Sequence, residues 1–327
     1  MNNQFDELTK SMAQSVTRRG ALKEFSAGLA GMALACFGLA NHTTAAPSFT
    51  SLDFPGAVFT AADDINAKVQ ITGWYIDTSG VFHGFLLDNA AYTSITFPGA
   101  IHTSALGLNA NGDVVGAYFL TDEKKDNFGY VLRNGTFTSI GVPGAAQTRA
   151  FGINTNGDIV GIYTDQQQGK HHGFLLRAGV FTSIDFPGSA YTDVWKINDA
   201  GQIAGRYQTG GNSKFHLFLL SDGIFTAIAD FPEAVQMAPT VVCSHHSGLN
   251  GAGDIVTAYS DSTPVNNNLS DNVVGSLHGL LWSGGGYTVI DFPNANFTVA
   301  YGINDSGVVV GAYQDTNGAI HGYLRTP

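Results

Sequence analysis

Residues Gly152 to Asp165 read GINTNGDIVGIYTD, and the chain writes GINDSGVVVGAYQD again from Gly302. Looser copies begin at Gly107, Lys196 and Gly248. Each copy has two short runs of apolar and β-branched residues around an Asn-x-x-Gly step, which is typical of a tight hairpin whose Gly takes a positive φ. A segment that returns along the chain indicates a repeat architecture, so this hairpin decides the fold.

Three landmarks around the hairpin define the length of one repeat. A Pro, an Asn and a Tyr recur in order in six copies, with a period of about 44 residues. The prolines are Pro55, Pro98, Pro143, Pro187, Pro232 and Pro293. The asparagines are Asn66, Asn109, Asn154, Asn198, Asn250 and Asn304, and the tyrosines are Tyr75, Tyr118, Tyr163, Tyr207, Tyr259 and Tyr313. These six copies account for the chain after its first 46 residues.

One repeat contains four predicted strands, the two of the hairpin followed by HGFLL and VFTSIDF, which is the size of a propeller blade. The repeat region opens with a lone fourth strand, SFTSLDFPG, and ends with a third strand, HGYLRTP, that has no fourth. We therefore predict an all-β fold, a single six-bladed β-propeller over residues 48–327 whose N-terminal strand completes the last blade and closes the ring. A β-solenoid is the alternative, although it does not need complementary ends.

The motifs HGFLL and GINxxGDIVGxY resemble the HAF-type probable extracellular repeat family, with His-Gly-Phe written in place of His-Ala-Phe. The resemblance spans residues 48–327. The resemblance implies an exported repeat protein, and it implies no particular activity.

The first 46 residues differ in kind from the rest, because a polar start is followed by TRRGALK and then by the apolar run FSAGLAGMALACFGLA. This order resembles a twin-arginine export signal, with Ala21 where Phe is usual. We expect residues 1–46 to be a signal peptide and the protein to be periplasmic, cell-surface or secreted. The apolar run is short for a membrane span, so a retained anchor is the weaker alternative, and a lipid attached at Cys36 is another.

Charge and composition limit the partners. A formal charge of −11 disfavours nucleic acid, which needs clustered Lys and Arg. Cys36 and Cys243 are the only cysteines, so the mature chain has no internal disulfide. We expect a monomer without a membrane span or a cofactor, and an extracellular glycan or small ligand as its partner.

The repeated polar residues are predicted to be structural. His83, His172, His216, His278 and His321 precede the third strand, and copies one blade apart lie too far from each other to share a metal. Each is expected to hydrogen-bond a neighbouring strand. The Asn-x-x-Gly steps resemble calcium loops only faintly, since they lack the carboxylates that such a loop supplies.

The fifth repeat departs from the pattern through two insertions, at about 233–247 and 260–277. The links from fourth to first strand and from second to third strand leave an antiparallel sheet at the same end, so both insertions belong to one face. Long loops on a rigid scaffold commonly carry function. We therefore expect the functional site on this face.

Candidate site residues vary between repeats at seven, five and three positions before the Asn, which alternate with near-constant positions, or are histidines outside the repeat pattern that fall on links to the same face. The predicted catalytic residues are His245, His102, Arg149, Asp193 and Tyr191. The predicted ligand-binding residues are His246, Cys243, Trp195, Gln147, His171 and Asp63. No metal ligand is assigned, although His245 and His246 with an acid of the insertion, or Cys243 as a nucleophile, remain alternatives.

Three functions are compatible with this pattern. The first is an exported binding module that holds a glycan or another extracellular ligand, with Tyr191 and Trp195 stacking on a sugar ring. The second is a lyase or hydrolase for an acidic polysaccharide, with His245 or His102 as the base and Arg149 neutralising the substrate acid. The third is a structural protein of the cell surface. Whether the protein is an enzyme is left open.

Overall fold

The computed structural model describes residues 46–121, 127–210, 214–237, 247–261 and 277–327. The predicted signal peptide, with Cys36, therefore lies outside the described residues apart from its last position, and so does most of both insertions. The compact unit of interest runs from Pro47 to Pro327. In the described ranges every regular element is a β-strand, and no helix there is long and apolar enough to cross a membrane.

The strands follow the sequence repeat. Strand β1 (Ser48–Leu52) comes first, and repeat 1 contains β2 (Phe59–Ile65), β3 (Ile71–Ile76), β4 (Phe82–Asp88) and β5 (Ala91–Ile95). Repeat 2 contains β6 (His102–Leu108), β7 (Val114–Phe119), β8 (Asn127–Arg133) and β9 (Thr136–Ile140). Repeat 3 contains β10 (Ala145–Ile153), β11 (Ile159–Asp165), β12 (His171–Arg177) and β13 (Val180–Ile184).

The last three repeats continue the series. Repeat 4 contains β14 (Ser189–Ile197), β15 (Ile203–Thr209), β16 (His216–Ser221) and β17 (Ile224–Ala227). Repeat 5 contains β18 (Gln236–Met237), β19 (Gly248–Leu249), β20 (Ile255–Ser260), β21 (Leu277–Ser283) and β22 (Gly286–Ile290). Repeat 6 contains β23 (Phe297–Ile303), β24 (Val309–Gln314) and β25 (Ile320–Thr326).

These small antiparallel sheets form a β-propeller arrangement. Repeats 2, 3 and 4 are separate four-stranded sheets, and repeat 5 has five strands because its first strand is split into β18 and β19, which both pair with β20. Repeats 6 and 1 belong to one eight-stranded sheet. The pairing thus gives five sheets and not the six separate ones predicted, because a single parallel pair, Phe59 with Ile320, joins two of them.

The two ends of the described chain meet in repeat 6. Strand β1 pairs antiparallel with β25, from Ser48 opposite Thr326 to Leu52 opposite Gly322. The Ser48 and Thr326 hydroxyls lie 2.7 Å apart. Beyond the strand, Asp53 lies 2.8 Å from Nδ1 of His321. The N-terminal strand therefore takes the place of the missing fourth strand.

Near-constant residues hold the links. The Thr six positions before the repeat Asn accepts a hydrogen bond from the backbone N–H of the residue before the repeat Pro, as Phe54 donates to Thr60 at 3.1 Å. The same bond occurs at Thr103, Thr148, Thr192 and Thr298. In repeats 1, 2, 4 and 6 the aromatic ring before the Pro stacks on the repeat Tyr, with Phe54 and Tyr75 centroids 3.7 Å apart. These contacts fix where each first strand begins.

The six Asn turns surround one central cavity. Each Asn side chain accepts backbone N–H groups of its own turn, and in five of the six repeats its Nδ2 donates to the Asn carbonyl of the next repeat, as Asn66 does to Asn109 at 3.1 Å. The same link runs from Asn109 to Asn154, Asn154 to Asn198, Asn198 to Asn250 and Asn304 to Asn66. Residues of all six repeats line a cavity of about 120 Å³, five of the six asparagines among them, with repeat 3 contributing Ile153. The repeats are therefore arranged around a common axis.

An ion pair crosses this axis beneath the Asn turns. Lys196 of repeat 4 reaches Asp64 of repeat 1 at 2.8 Å and also donates to the carbonyls of Leu106 and Phe151 in repeats 2 and 3. Both charged side chains are buried. The equivalent position is Gly in the other four repeats, where space is short: a Cβ on Gly107 would lie 2.4 Å from the Phe151 carbonyl oxygen. One buried ion pair thus couples four repeats.

Candidate functional site

The functional candidates lie at the end of the sheets that carries the links between repeats. We call this end the link face, and the opposite end, which carries the Asn turns, the turn face. The first residues of β10, β12 and β14 belong to the link face, and so do the last residues of β7, β11 and β15. Five of the predicted site residues stand on these strand ends: Gln147, Arg149, His171, Tyr191 and Asp193.

Asp193 is the centre of a buried charged cluster at the junction of repeats 3 and 4. Its Oδ2 accepts from Nε of Arg206, its cross-strand neighbour, at 2.8 Å. Its Oδ1 lies 3.2 Å from Nδ1 of His171, the first residue of β12 in the preceding repeat. Asp193 and Arg206 are 2% and 3% exposed, whereas the His171 side chain is 37% exposed. The carboxylate therefore links a buried guanidinium to a partly exposed imidazole.

Aromatic rings enclose the Arg206 guanidinium. Its Cζ lies 3.8 Å from the centroid of Phe215 and 5.3 Å from that of Trp195. Burial lowers the pKa of Arg206, and the Asp193 charge and hydrogen bond oppose that effect. Since an Arg remains protonated at neutral pH, the cluster contains a permanent buried ion pair.

Arg149 extends the cluster to the junction of repeats 2 and 3. Its guanidinium lies 5.7 Å from the Phe119 ring centroid. With its amide oxygen turned toward Arg149, the buried Asn127 accepts from Nε and Nη2 at 3.2 and 3.0 Å. In the opposite orientation its Nδ2 donates to Gln147 at 3.2 Å. Burial lowers the pKa of Arg149, and the charge of Asp193 raises it.

Tyr191 provides the exposed surface of the cluster. It is 38% exposed, and its ring meets the His171 ring edge to face at 5.7 Å. The predicted residues Asp193, His171 and Tyr191 are therefore in direct contact, and Arg149 shares their electrostatic environment. Gln147 lies beside Asn127 on the same face.

His102 stands apart from this group, at the junction of repeats 1 and 2. It is 8% exposed, packs 4.7 Å from the Phe82 ring, and accepts the Phe82 backbone N–H on Nδ1 at 3.2 Å. The Phe82 backbone therefore engages Nδ1 of an imidazole that is almost fully buried. The role of His102 as a catalytic base stays a prediction.

The structure contradicts the prediction that Trp195 and Asp63 contact a ligand. Both side chains are fully buried and cannot touch a ligand in solution. Both stand three positions before the repeat Asn, where the strand register shifts, as between Val194 and Lys196. Such a β-bulge places two residues opposite one and ends the strict alternation of faces. The side chains at this position therefore leave the surface. The predicted residues His245, His246 and Cys243 lie outside the described residues.

Two members of the cluster, Arg206 and Asn127, were not predicted. Arg206 stands eight positions after the repeat Asn, where the other repeats have Trp74, Ala117, Ile162, Ala258 and Ala312. Asn127 stands with His171 at a position that is otherwise Phe82, Phe215, Leu277 and Ile320. A polar residue in an apolar position of the repeat was the available signal. The polar cluster is confined to the junctions of repeats 2, 3 and 4.

The repeated histidines bond within their own sheets, as predicted. Nδ1 of His172 lies 2.7 Å from Asp185, and its Nε2 lies 3.4 Å from Asp165. His278 and His321 have equivalent pairs of Asp partners. Within the described ranges, no group of three or more His, Cys, Asp or Glu side chains is placed to hold one metal ion.

A second feature lies on the turn face, between repeats 2 and 3. A cleft of about 690 Å³ is lined by polar residues such as Asp113, Arg133 and Asn156 over an apolar floor that includes Phe181. Arg133 lies 3.3 Å from Asp113, so its charge is compensated. Thr138 and Ser139 of the cleft recur at equivalent positions in other repeats, which makes it mainly a product of the repeated scaffold.

No family model matches the sequence, and no curated protein sequence matches it. Solved structures share the fold at low identity. Aleuria aurantia lectin, as a mutant in complex with Fucalpha1-6GlcNAc, is 12% identical, with 84% of this chain and 93% of that chain covered and a TM-score of 0.50. A mutant of AofleA from Arthrobotrys oligospora is 12% identical over 85% and 86% of the chains, also with a TM-score of 0.50. A protein of unknown function from Dyadobacter fermentans is 9% identical over 85% and 96%, with a TM-score of 0.50.

Proposed function

We propose that this chain is an exported, six-bladed carbohydrate-binding propeller that holds a glycan on its link face, at repeats 3 and 4. The Asn turns support six blades, because all six repeats line one central cavity. On this view repeats 6 and 1 are two blades that touch through one parallel pair. Export rests on the twin-arginine-like sequence and on the resemblance to HAF-type repeats.

The observation that carries the proposal is the departure from symmetry. The cluster of Asp193, Arg206, His171 and Arg149 occupies positions that are apolar or small in at least half of the repeats. Burying charged groups is costly unless they are paired, and repeats 1 and 6 have no charged residue at the positions equivalent to the cluster. A polar cluster that the scaffold does not require favours a binding role.

The exposed edge of the cluster has the chemistry that binds a sugar. Tyr191 presents an aromatic ring, on which the apolar face of a pyranose can stack, and His171 adds a polar donor or acceptor beside it. A solved lectin of similar fold was found with a bound disaccharide, which supports a carbohydrate as the ligand class. Neither the sugar nor the binding face follows from that likeness.

A glycan array probed with the full chain tests the proposal. We expect retention of a glycan, and we expect Tyr191→Ala to weaken its affinity by about 10-fold, which corresponds to about 1.4 kcal/mol. Tyr191→Phe is the matched control, since it keeps the ring and should retain most of the affinity. Thermal unfolding should be unchanged in both variants because Tyr191 is exposed.

Three outcomes would contradict this placement. An array without any retained glycan removes the carbohydrate proposal. Binding that survives Tyr191→Ala but is lost in Arg133→Ala moves the site to the turn-face cleft. Shortened products after long incubation would instead favour the hydrolase or lyase alternative, for which His171 with Asp193 is a better-placed base than His102.

A further inference from the structure

The cluster on the link face carries excess positive charge within an acidic chain. Asp193 compensates one guanidinium, while Arg149 and Arg206 supply two. Lys170, whose Nζ lies 3.4 Å from the Ser189 carbonyl, adds a third cation at the same junction. By contrast, the full sequence has neither Lys nor Arg in the link segments of repeats 1, 5 and 6. The chain as a whole has a formal charge of −11. The cations are therefore concentrated where the polar cluster lies.

The two guanidiniums of the cluster differ in how their charge is balanced. Arg206 has Asp193 at 2.8 Å. Among the described residues, no carboxylate lies within 4.0 Å of the Arg149 guanidinium, and its hydrogen-bond partner is the neutral amide of Asn127. On the turn face, Arg133 and Arg177 are each paired with an Asp. Arg149 thus stands out as a partly desolvated cation without a contacting anion.

Such a group is arranged to receive an anion. Asn127 occupies Nε and one side of Nη2, which fixes the plane of the guanidinium. No acceptor contacts Nη1 within the described ranges, so the outer edge of the fork can donate two parallel hydrogen bonds to an oxyanion. Charge-assisted bonds of this kind are stronger where water is partly excluded, and half-burial of Arg149 provides that condition.

We propose that the link-face site selects anionic sugars, those with a carboxylate or a sulfate group, and that Arg149 holds this group in a bidentate pair. This inference rests on the proposed carbohydrate-binding function and adds the class of ligand to it. Lys170 supports the anion from the same junction, and Tyr191 contacts the sugar ring. The neighbouring Asp193 is bonded to Arg206 and His171 and lies beyond ion-pair distance of Arg149.

The test uses pairs of glycans that differ in one charge. The full chain is titrated with an oligogalacturonide and its carboxyl-reduced form, and with a sulfated galactan oligosaccharide and its desulfated form. We expect at least one acidic member to bind about 10-fold more tightly than its neutral partner at low salt, with the ratio falling as salt rises. The arm that shows the preference identifies carboxylate or sulfate as the anion.

Variants at Arg149 separate charge from fork geometry. Arg149→Gln should reduce the ratio of the affinities for the acidic and the neutral form to about one, with the larger loss in the affinity for the acidic form. Arg149→Lys should restore part of the preference, because it keeps the charge without the planar fork. Arg133→Gln on the turn face is the matched control and should change neither value. Thermal unfolding of each variant verifies that the fold is intact.

The possible failures are distinguishable. Equal binding of acidic and neutral partners in both arms overturns the anion proposal and leaves carbohydrate binding in place. A preference that persists in Arg149→Gln overturns the assignment to Arg149. Absence of binding to every glycan, including those of the array, removes the proposed function itself.

Discussion

At the scale of single residues, adjacent carboxylates at the axis have opposite roles. Asp64 is bonded to Lys196 at 2.8 Å and to the backbone N–H of Leu108 at 2.9 Å. Its neighbour Asp63 is fully buried, and desolvation raises its pKa well above the usual 3.8, with Lys196 opposing and Asp64 adding to the shift. The ionised Asp64 therefore stabilises the fold through its ion pair with Lys196. Ionisation of Asp63, in contrast, is unfavourable in the folded protein.

The wild type is expected to lose stability as rising pH ionises Asp63, and we predict that Asp63→Asn prevents this loss. A folded-state pKa above the unfolded one means that the folded protein holds the proton more tightly, so the stability due to Asp63 is complete below pH 3.8 and is lost as pH rises through the folded-state pKa. The free energy of unfolding of the variant, measured by denaturant titration, should exceed that of the wild type increasingly above pH 3.8. A constant difference across pH would contradict this.

Asp64→Asn, the same substitution one residue away, is the matched control and should have the opposite effect. It leaves the Lys196 ammonium buried without its carboxylate, which typically costs about 3–5 kcal/mol. Two variants of equal stability would show that the axis tolerates either charge and that the ion pair has no structural role.

At the scale of elements, the hairpin between β2 and β3 differs from its equivalents in other repeats. The residue three positions after the Asn is a Gly with positive φ in the other five repeats, for example Gly112 with φ +88°. Repeat 1 has Val69 there, with a φ of 61° and 47% exposure. The hydrogen bond that closes the turn is retained, from the Val69 N–H to the Asn66 carbonyl at 3.0 Å. A β-branched residue is strained in this conformation.

We predict that Val69→Gly raises the free energy of unfolding by about 1 kcal/mol, because relief of left-handed strain exceeds the entropy cost of a new Gly. Little packing is lost, since the side chain is half exposed. Thermal and denaturant unfolding measure the gain. Gly112→Val is the reciprocal control and should destabilise by at least a similar amount, whereas a stabilised Gly112→Val would disprove the strain at this turn position.

The strands and turns were predictable from the sequence, because the repeat supplies six aligned examples of each. The first strands, the Asn turns and the completion of repeat 6 by β1 all follow from residues at fixed spacing. The burial of Trp195 and Asp63 was not predictable. The alternation of variable and constant residues assumes a regular strand, and the sequence gives no signal of the β-bulge before the Asn. Of the site, Asp193, Arg149, His171 and Tyr191 could be found as variable positions. Arg206 required a comparison of the second strands, where it is the one basic residue.

At the scale of the whole molecule, the arrangement depends on closure as well as on the repeats. The Asn-to-Asn links pass from Asn66 through the repeats to Asn250, and a further link joins Asn304 to Asn66. The Lys196 contacts cross the interior between repeats 4 and 1. Strand β1 joins the first residues of the described chain to the last strand. The link-face cluster at repeats 3 and 4 lies in the middle of the sequence, so its geometry depends on a ring that is closed elsewhere.

A chain that begins at Pro55, without β1, is therefore predicted to lose stability and to self-associate. Strand β25 would become an open edge with unpaired N–H and C=O groups, which is a template for pairing with another chain. The contacts of Ser51 with the Tyr313 hydroxyl at 2.7 Å and of Asp53 with His321 would also be lost. We expect the unfolding temperature to fall by about 5–10 °C, with roughly 2–4 °C for each kcal/mol lost. We also expect light scattering to show concentration-dependent association.

The same edge should accept β1 as a separate peptide. A synthetic peptide of residues 47–54, added in excess, should bind the shortened chain by strand addition, return it to a monomer and raise its unfolding temperature toward that of the longer chain. A peptide with Thr50→Pro cannot complete the ladder and should fail. The chain that retains β1 should ignore both peptides, because its edge is already occupied. If the shortened chain is as stable and monomeric as the longer one, the ring is held closed by the Asn turns and the axial ion pair alone, and β1 is dispensable.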